Sequence, residues 1–96
     1  MLPIIIKDKA VEDLQKAYIY LEEQEKHLGE KLLKYLDEYA EIIQINPYLF
    51  GEDYKTIRQV RIKPFKYILR YKIYKEYIAI IQLFHSQQHP KKKTIK

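Results

Sequence analysis

A chain of 96 residues makes one domain with room for a single modest core, and the absence of cysteine excludes disulfide and thiol chemistry. The net charge of +5 hides a division: residues 1–53 carry 6 Lys/Arg against 12 Asp/Glu, while residues 54–96 carry 12 Lys/Arg against a single acid, Glu76. A half this basic calls for an anionic partner, and since no apolar run approaches the roughly 20 residues that span a bilayer, the chain reads as a soluble cytoplasmic protein with no membrane partner.

Residues 1–96 are expected to form one domain, beginning with a short buried strand in "LPIII", where β-branched residues cluster. Asp8 is positioned to cap the helix that follows, in which Val11, Leu14, Ala17, Tyr18 and Leu21 recur at helical spacing. Gly29 interrupts that pattern. A second stripe of the same period, Leu28, Leu32, Tyr35, Leu36, Tyr39, Ala40 and Ile43, predicts a second helix ended by Asn46-Pro47, because a residue before proline leaves the helical region. Residues 48–53, "YLFGED", read as the one loop of any length.

Beyond it the period changes to two. Val60 and Ile62 alternate with Gln59, Arg61 and Lys63; after a turn at Pro64, Phe65, Tyr67, Leu69, Tyr71 and Ile73 alternate with a largely basic set. Lys75-Glu76 reverses the chain without glycine, and "YIAIIQLFH", apolar on both faces, predicts a central strand. The expected architecture is α+β: a short N-terminal strand, an antiparallel two-helix hairpin and a three-stranded antiparallel meander, with the helices on one face of a four-stranded sheet. Residues 91–96 read as a flexible basic tail. Tyr18, Tyr35, Tyr39, Tyr67 and Tyr71 lie on the apolar stripes and belong to the core, leaving Tyr48, Tyr54, Tyr74 and Tyr77 freer.

His85 closes the last strand. It alternates with Leu83 and Ile81, and reaches the basic face only if Ile78, Ile80 and Phe84 point toward the helices. A histidine beside an apolar strand is more often structural than catalytic. His85 and His89 have metal-like spacing only on a helix, and Pro90 follows with no third ligand, so no metal and no cofactor are expected.

The ordered pieces Ala10-x-x-Asp13-Leu14, Tyr20-Leu21, Leu28-Gly29-Glu30 and Asn46-Pro47, then "IRQVRIKPFKYILRYKI" and "LFHSQQHP", resemble the RelE/ParE superfamily of bacterial toxins over nearly the whole chain. Many members carry an arginine three residues after the histidine, where this chain has Gln88. The resemblance implies a growth-inhibiting toxin of a type II toxin–antitoxin system, with a cognate acidic antitoxin as partner. ParE-like members are associated with DNA gyrase; RelE-like members cut mRNA on the ribosome. Cleavage through a 2′-hydroxyl needs an acid, a base and cations for the crowded phosphorane, which would fall to His85, Arg61, Lys63 and Arg70. No tyrosine follows His85 and Glu76 is the only acid in the basic half, so a ParE-like binder is favoured over a nuclease, with a degenerate nucleic-acid-binding or interaction module as a third reading. The target-binding candidates are Arg58, Arg61, Lys63, Lys66, Arg70, Lys91, Lys92 and Lys93. The apolar last strand leaves more hydrophobic surface than one helical layer covers, which an antitoxin segment or a homodimer would bury.

Overall fold

The computed structural model describes residues 1–54 and 56–87; Gln88, His89, Pro90 and the tail with Lys91, Lys92 and Lys93 lie outside the described residues. Strand β1 (Ile4–Ile6) leads into helices α1 (Asp8–Gln24) and α2 (Leu28–Ile45), followed by strands β2 (Glu52–Tyr54), β3 (Ile57–Ile62), β4 (Tyr67–Ile73) and β5 (Ile78–His85). The sheet order is β1-β5-β4-β3-β2, with β1 parallel to β5 and every other pair antiparallel. The four expected strands and the helical hairpin are all present, and β5 is an interior strand. Glu52 and Asp53 of the expected loop, with Tyr54 just after it, add β2 as a short fifth strand at the edge. Asp8 is not the cap of α1: Lys7 occupies that position without a side-chain cap, and Asp8 lies in the first turn, where the helix dipole favours a carboxylate.

The core is a single layer between the hairpin and one face of the sheet. Ala10, Ala17, Leu21, Leu32 and Ile43 from the helices meet Val60, Ile62, Tyr67, Leu69, Tyr71, Ile78, Ile80 and Leu83 from the strands. Tyr71 is completely buried, and its hydroxyl donates to the Pro47 carbonyl at 2.7 Å, fastening the chain after α2 to the sheet. Burial pushes the pKa of both Tyr67 and Tyr71 above the ordinary tyrosine value. The glycine-free reversal between β4 and β5 closes with Tyr74 N–H on the Tyr77 carbonyl at 2.8 Å and the two rings stacked 4.8 Å apart.

One carboxylate organises the turn between the helices. Glu22 accepts backbone N–H groups from His27, Gly29 and Glu30 at 3.1, 2.8 and 3.3 Å, satisfying the first amides of α2, which has no side-chain cap from its own N-terminal residue. These bonds, that from His27 foremost, hold the Glu22 pKa below the usual glutamate value. His27 takes the left-handed conformation (φ 73°) that the tight turn requires. Gly29 is fixed by the neighbouring helix: a Cβ there would lie 2.7 Å from Cδ1 and 2.9 Å from the carbonyl oxygen of Tyr18.

Two outcomes follow for stability. Gly29→Ala should destabilise the fold by about 1–3 kcal/mol in urea unfolding, since backbone at Tyr18 must move, while Gly51→Ala, with nothing within 4 Å of its added methyl, should not. For Glu22, a folded-state pKa below the unfolded one means stability that is present above the ordinary glutamate range and lost as pH falls through the folded value. Wild type should therefore melt above Glu22→Gln at neutral pH, and the gap should close on acidification; a gap independent of pH would contradict the capping role.

Candidate functional site

The strand register divides the chemistry of the basic half between two faces. Val60 pairs with Leu69, Ile62 with Tyr67, and Leu69 with Leu83, so these side chains share the helix-covered face. Arg61 pairs with Ile68 and Gln59 with Arg70, and across β4 these meet Phe84 and Gln82, all on the opposite face. No described element packs on that second face.

Ile81 decides which face receives His85. Between the Arg70–Gln82 pair and the Tyr71–Ile80 pair, β5 carries one extra residue, a bulge that reverses the alternation. Ile78 and Ile80 point toward the helices as the strand begins, and without the bulge Phe84 would follow them and His85 would join the cations. With it, Leu83 and His85 turn inward and Phe84 turns out. His85 pairs with Tyr67, its ring edge-on to the phenol at 5.1 Å, and its Nδ1 accepts the Gln87 N–H at 3.1 Å. An acceptor at Nδ1 leaves the neutral ring's proton on Nε2. The residue lines a shallow groove of about 290 Å³ with Asp13, Lys16, Tyr20 and Tyr67.

The nuclease candidates therefore do not converge: Arg61 and Arg70 occupy the open face, Lys63 is exposed in the turn after β3, and His85 is on the other side of the sheet. Among the target-binding candidates, Arg61, Lys63 and Lys66 are exposed. Arg58 has a different position. It shares the face of Val60, keeps 17% of its side chain exposed, donates to the Phe50 carbonyl at 2.6 Å, lies 3.8 Å from Glu52 and sits 4.9 Å from the Tyr48 ring centre. It braces the loop after α2. Arg70 lies flat across the open face, its Nε donating to Gln59 Oε1 at 3.3 Å and its Nη1 to Gln82 Oε1 at 3.5 Å, with the guanidinium 5.2 Å from the Phe84 ring centre. Gln59 was legible as a member of the basic face by its alternation with Arg61, whereas Gln82 and Phe84 were hidden by the bulge. Among the described residues, no cluster of three or more His, Asp or Glu could hold a metal ion, and no helix is long and apolar enough to cross a membrane.

Asp13 explains the Ala10-x-x-Asp13-Leu14 spacing. β1 pairs with β5 only as far as Ile80, which leaves the outer edge of β5 beyond that point without a strand. Asp13, on α1, accepts the Leu83 N–H at 3.0 Å and is itself held by Lys9, with 9% of its side chain exposed. The helical layer also presents apolar openings. A groove of about 280 Å³ between β1 and the hairpin is lined by Ile6, Ala10, Leu14, Leu33, Leu36 and Ala40, and Leu14, Tyr18, Ile19 and Leu33 line a second one between the helices.

Residues 4–90 match the family model described as ParE toxin of type II toxin–antitoxin system, parDE. Among solved structures, the fold is similar to the chromosomal ParDE toxin–antitoxin system from P. aeruginosa, with 16% identity, a TM-score of 0.66, and coverage of 88% of this chain and 96% of that one. It is also similar to the YoeB dimer from Staphylococcus aureus, with 22% identity, a TM-score of 0.59, and coverage of 84% and 92%. The E. coli DinJ–YafQ toxin–antitoxin complex aligns with 19% identity, a TM-score of 0.55, and coverage of 92% and 96%. No curated protein matches the chain.

Removing the Asp13 carboxylate should strand the Leu83 amide. Asp13→Ala should cost about 1–3 kcal/mol of stability and speed hydrogen exchange at Leu83 more than at Leu69; unchanged exchange at Leu83 would show that the contact carries no weight.

Proposed function

Because the chain belongs to the ParE toxin family of type II toxin–antitoxin systems, we propose that it inhibits growth by binding an acidic site on DNA gyrase rather than by cutting RNA. The observation that carries this reading is the separation of His85 from Arg61 and Arg70 by the thickness of the sheet. General acid–base catalysis requires the proton-transferring group within hydrogen-bond reach of the reacting oxygen, and the cations must meet the same phosphate. An imidazole turned toward α1 and guanidiniums turned away from it meet different molecules. A binder needs no such convergence, only a surface of the right sign, and on β3, β4 and β5 the open face has Arg61, Arg70 and Lys72 and no acid.

In this reading a cognate antitoxin neutralises the toxin through the helical hairpin. The grooves at Leu14, Ile19, Leu33 and Ala40 suit an amphipathic segment, whose apolar side chains would bury the exposed Ile19 and Leu33. The acidic character expected of that antitoxin suits the cationic sheet, so a second, extended segment would lie near it.

Expression of the chain alone should arrest a bacterial host, and co-expression of the antitoxin encoded beside it should relieve the arrest. In vitro, the wild type should inhibit gyrase supercoiling and leave messages intact in a translating extract. His85→Ala, verified as folded by circular dichroism, should retain inhibition, while Arg61→Ala and Lys63→Ala should weaken it and reduce its salt sensitivity. Loss of a general acid or base costs about 100-fold to 10,000-fold in rate, so message cleavage by the wild type that His85→Ala abolishes would replace this reading with a ribosome-dependent endoribonuclease.

A further inference from the structure

The open face of the sheet carries two rows of side chains that run across the central strands. In one, Arg61 on β3, Ile68 on β4 and Phe84 on β5 are successive cross-strand neighbours; in the other, Gln59, Arg70 and Gln82 are. The second row has an unusual polarity. Both glutamine oxygens accept from Arg70, so both carboxamides turn their NH₂ groups away from it and present donors to a partner. Neighbouring rows on one face of a strand are about 6.5 Å apart, so the donor row runs beside an apolar one formed by Ile68 and Phe84.

We propose that these two rows are the docking surface of the toxin for its target, and that the target contributes a protein segment in which carboxylates lie next to apolar side chains. This rests on the binding mode proposed above and specifies what that site recognises. Carboxylates accept from amide and guanidinium donors alike, and an apolar residue one helical turn away from them covers Ile68 and Phe84. Nucleic acid fits less well. Its affinity comes chiefly from cations on phosphates, yet two of the three donors in the row are neutral amides and the adjacent row is largely apolar. The charge of the face, basic with no acid on β3, β4 or β5, disfavours a basic partner.

Gln59→Glu and Gln82→Glu test the proposal with almost no change of shape. Each keeps an oxygen for Arg70, so the ladder and the fold survive, but an acceptor replaces the outward donor. Gln82→Met removes the donor without adding charge, and Lys34→Glu, on the exposed surface of α2, controls for net charge. The full chain and each variant would be titrated with a fluorescein-labelled leucine–glutamate repeat peptide and with an oligothymidylate, and assayed in parallel for inhibition of gyrase supercoiling. The expected result is peptide binding that each Gln→Glu change weakens about tenfold or more and Gln82→Met also weakens, with Lys34→Glu near wild type. No peptide binding, equal binding by the ladder variants, or displacement of the peptide by the oligothymidylate would each overturn it. Peptide binding that depends on the ladder while wild type leaves gyrase active would keep this surface and remove gyrase as the target. Gyrase inhibition undiminished in all the ladder variants would keep the target and remove this surface.

Discussion

A single extra residue in β5 sets what each face of this molecule can do. Side chains alternate strictly along a strand, so one inserted residue exchanges the two faces for everything after it. Ile81 is that residue. Before it, Ile78 and Ile80 fill the core. After it, Leu83 continues the core and His85 meets Tyr67, while Gln82 and Phe84 emerge beside Arg70. The cost of the bulge is one unpaired position in the ladder between β4 and β5. In return, Leu83 rather than Gln82 joins the core, and the open face gains an aromatic ring and a carboxamide in place of a leucine and a histidine.

The covering of only one face gives the division of charge its physical form. The acidic first half supplies the helical layer and the basic second half supplies most of the sheet, so the sign of charge changes across the thickness of the domain. Burial between the layers holds them together; among the described residues, the ion pairs Lys9–Asp13 and His27–Glu30 lie within the helical layer and Arg58–Glu52 within the sheet. A toxin of the ParE family built this way presents apolar grooves on one side and cations on the other. An apolar helix and an acidic segment therefore have separate surfaces to approach.

Periodicity made most of this fold legible. The two helical stripes and the alternation of β3 and β4 are strong signals because each has one face in the core and one in solvent. β2 escaped notice because three residues, Glu-Asp-Tyr, are too few to show a period, and its strand character comes from pairing with β3. The bulge was not legible, since a strand apolar on both faces has no alternation to interrupt. Arg58 is another matter. It has the parity of Val60 and Ile62, and so was marked by its position as a side chain of the covered face, although its charge suggested a target contact. Asp13 lay in a spacing that could be recognised but not explained, because its partner, the Leu83 amide, is 70 residues away.

That separation shapes how the molecule is born. Ile4, Ile5 and Ile6 pair only with Ile78, Ala79 and Ile80, and Asp13 waits for Leu83. On the ribosome, the first strand to emerge is thus the one whose partner emerges last. The helical hairpin, closed locally by Glu22, folds early, whereas three adjacent isoleucines remain without a neighbour through most of translation. β1 joins the sheet only after β5 has been made, and a nascent chain interrupted before β5 has neither that pair nor the β5 member of either row on the open face.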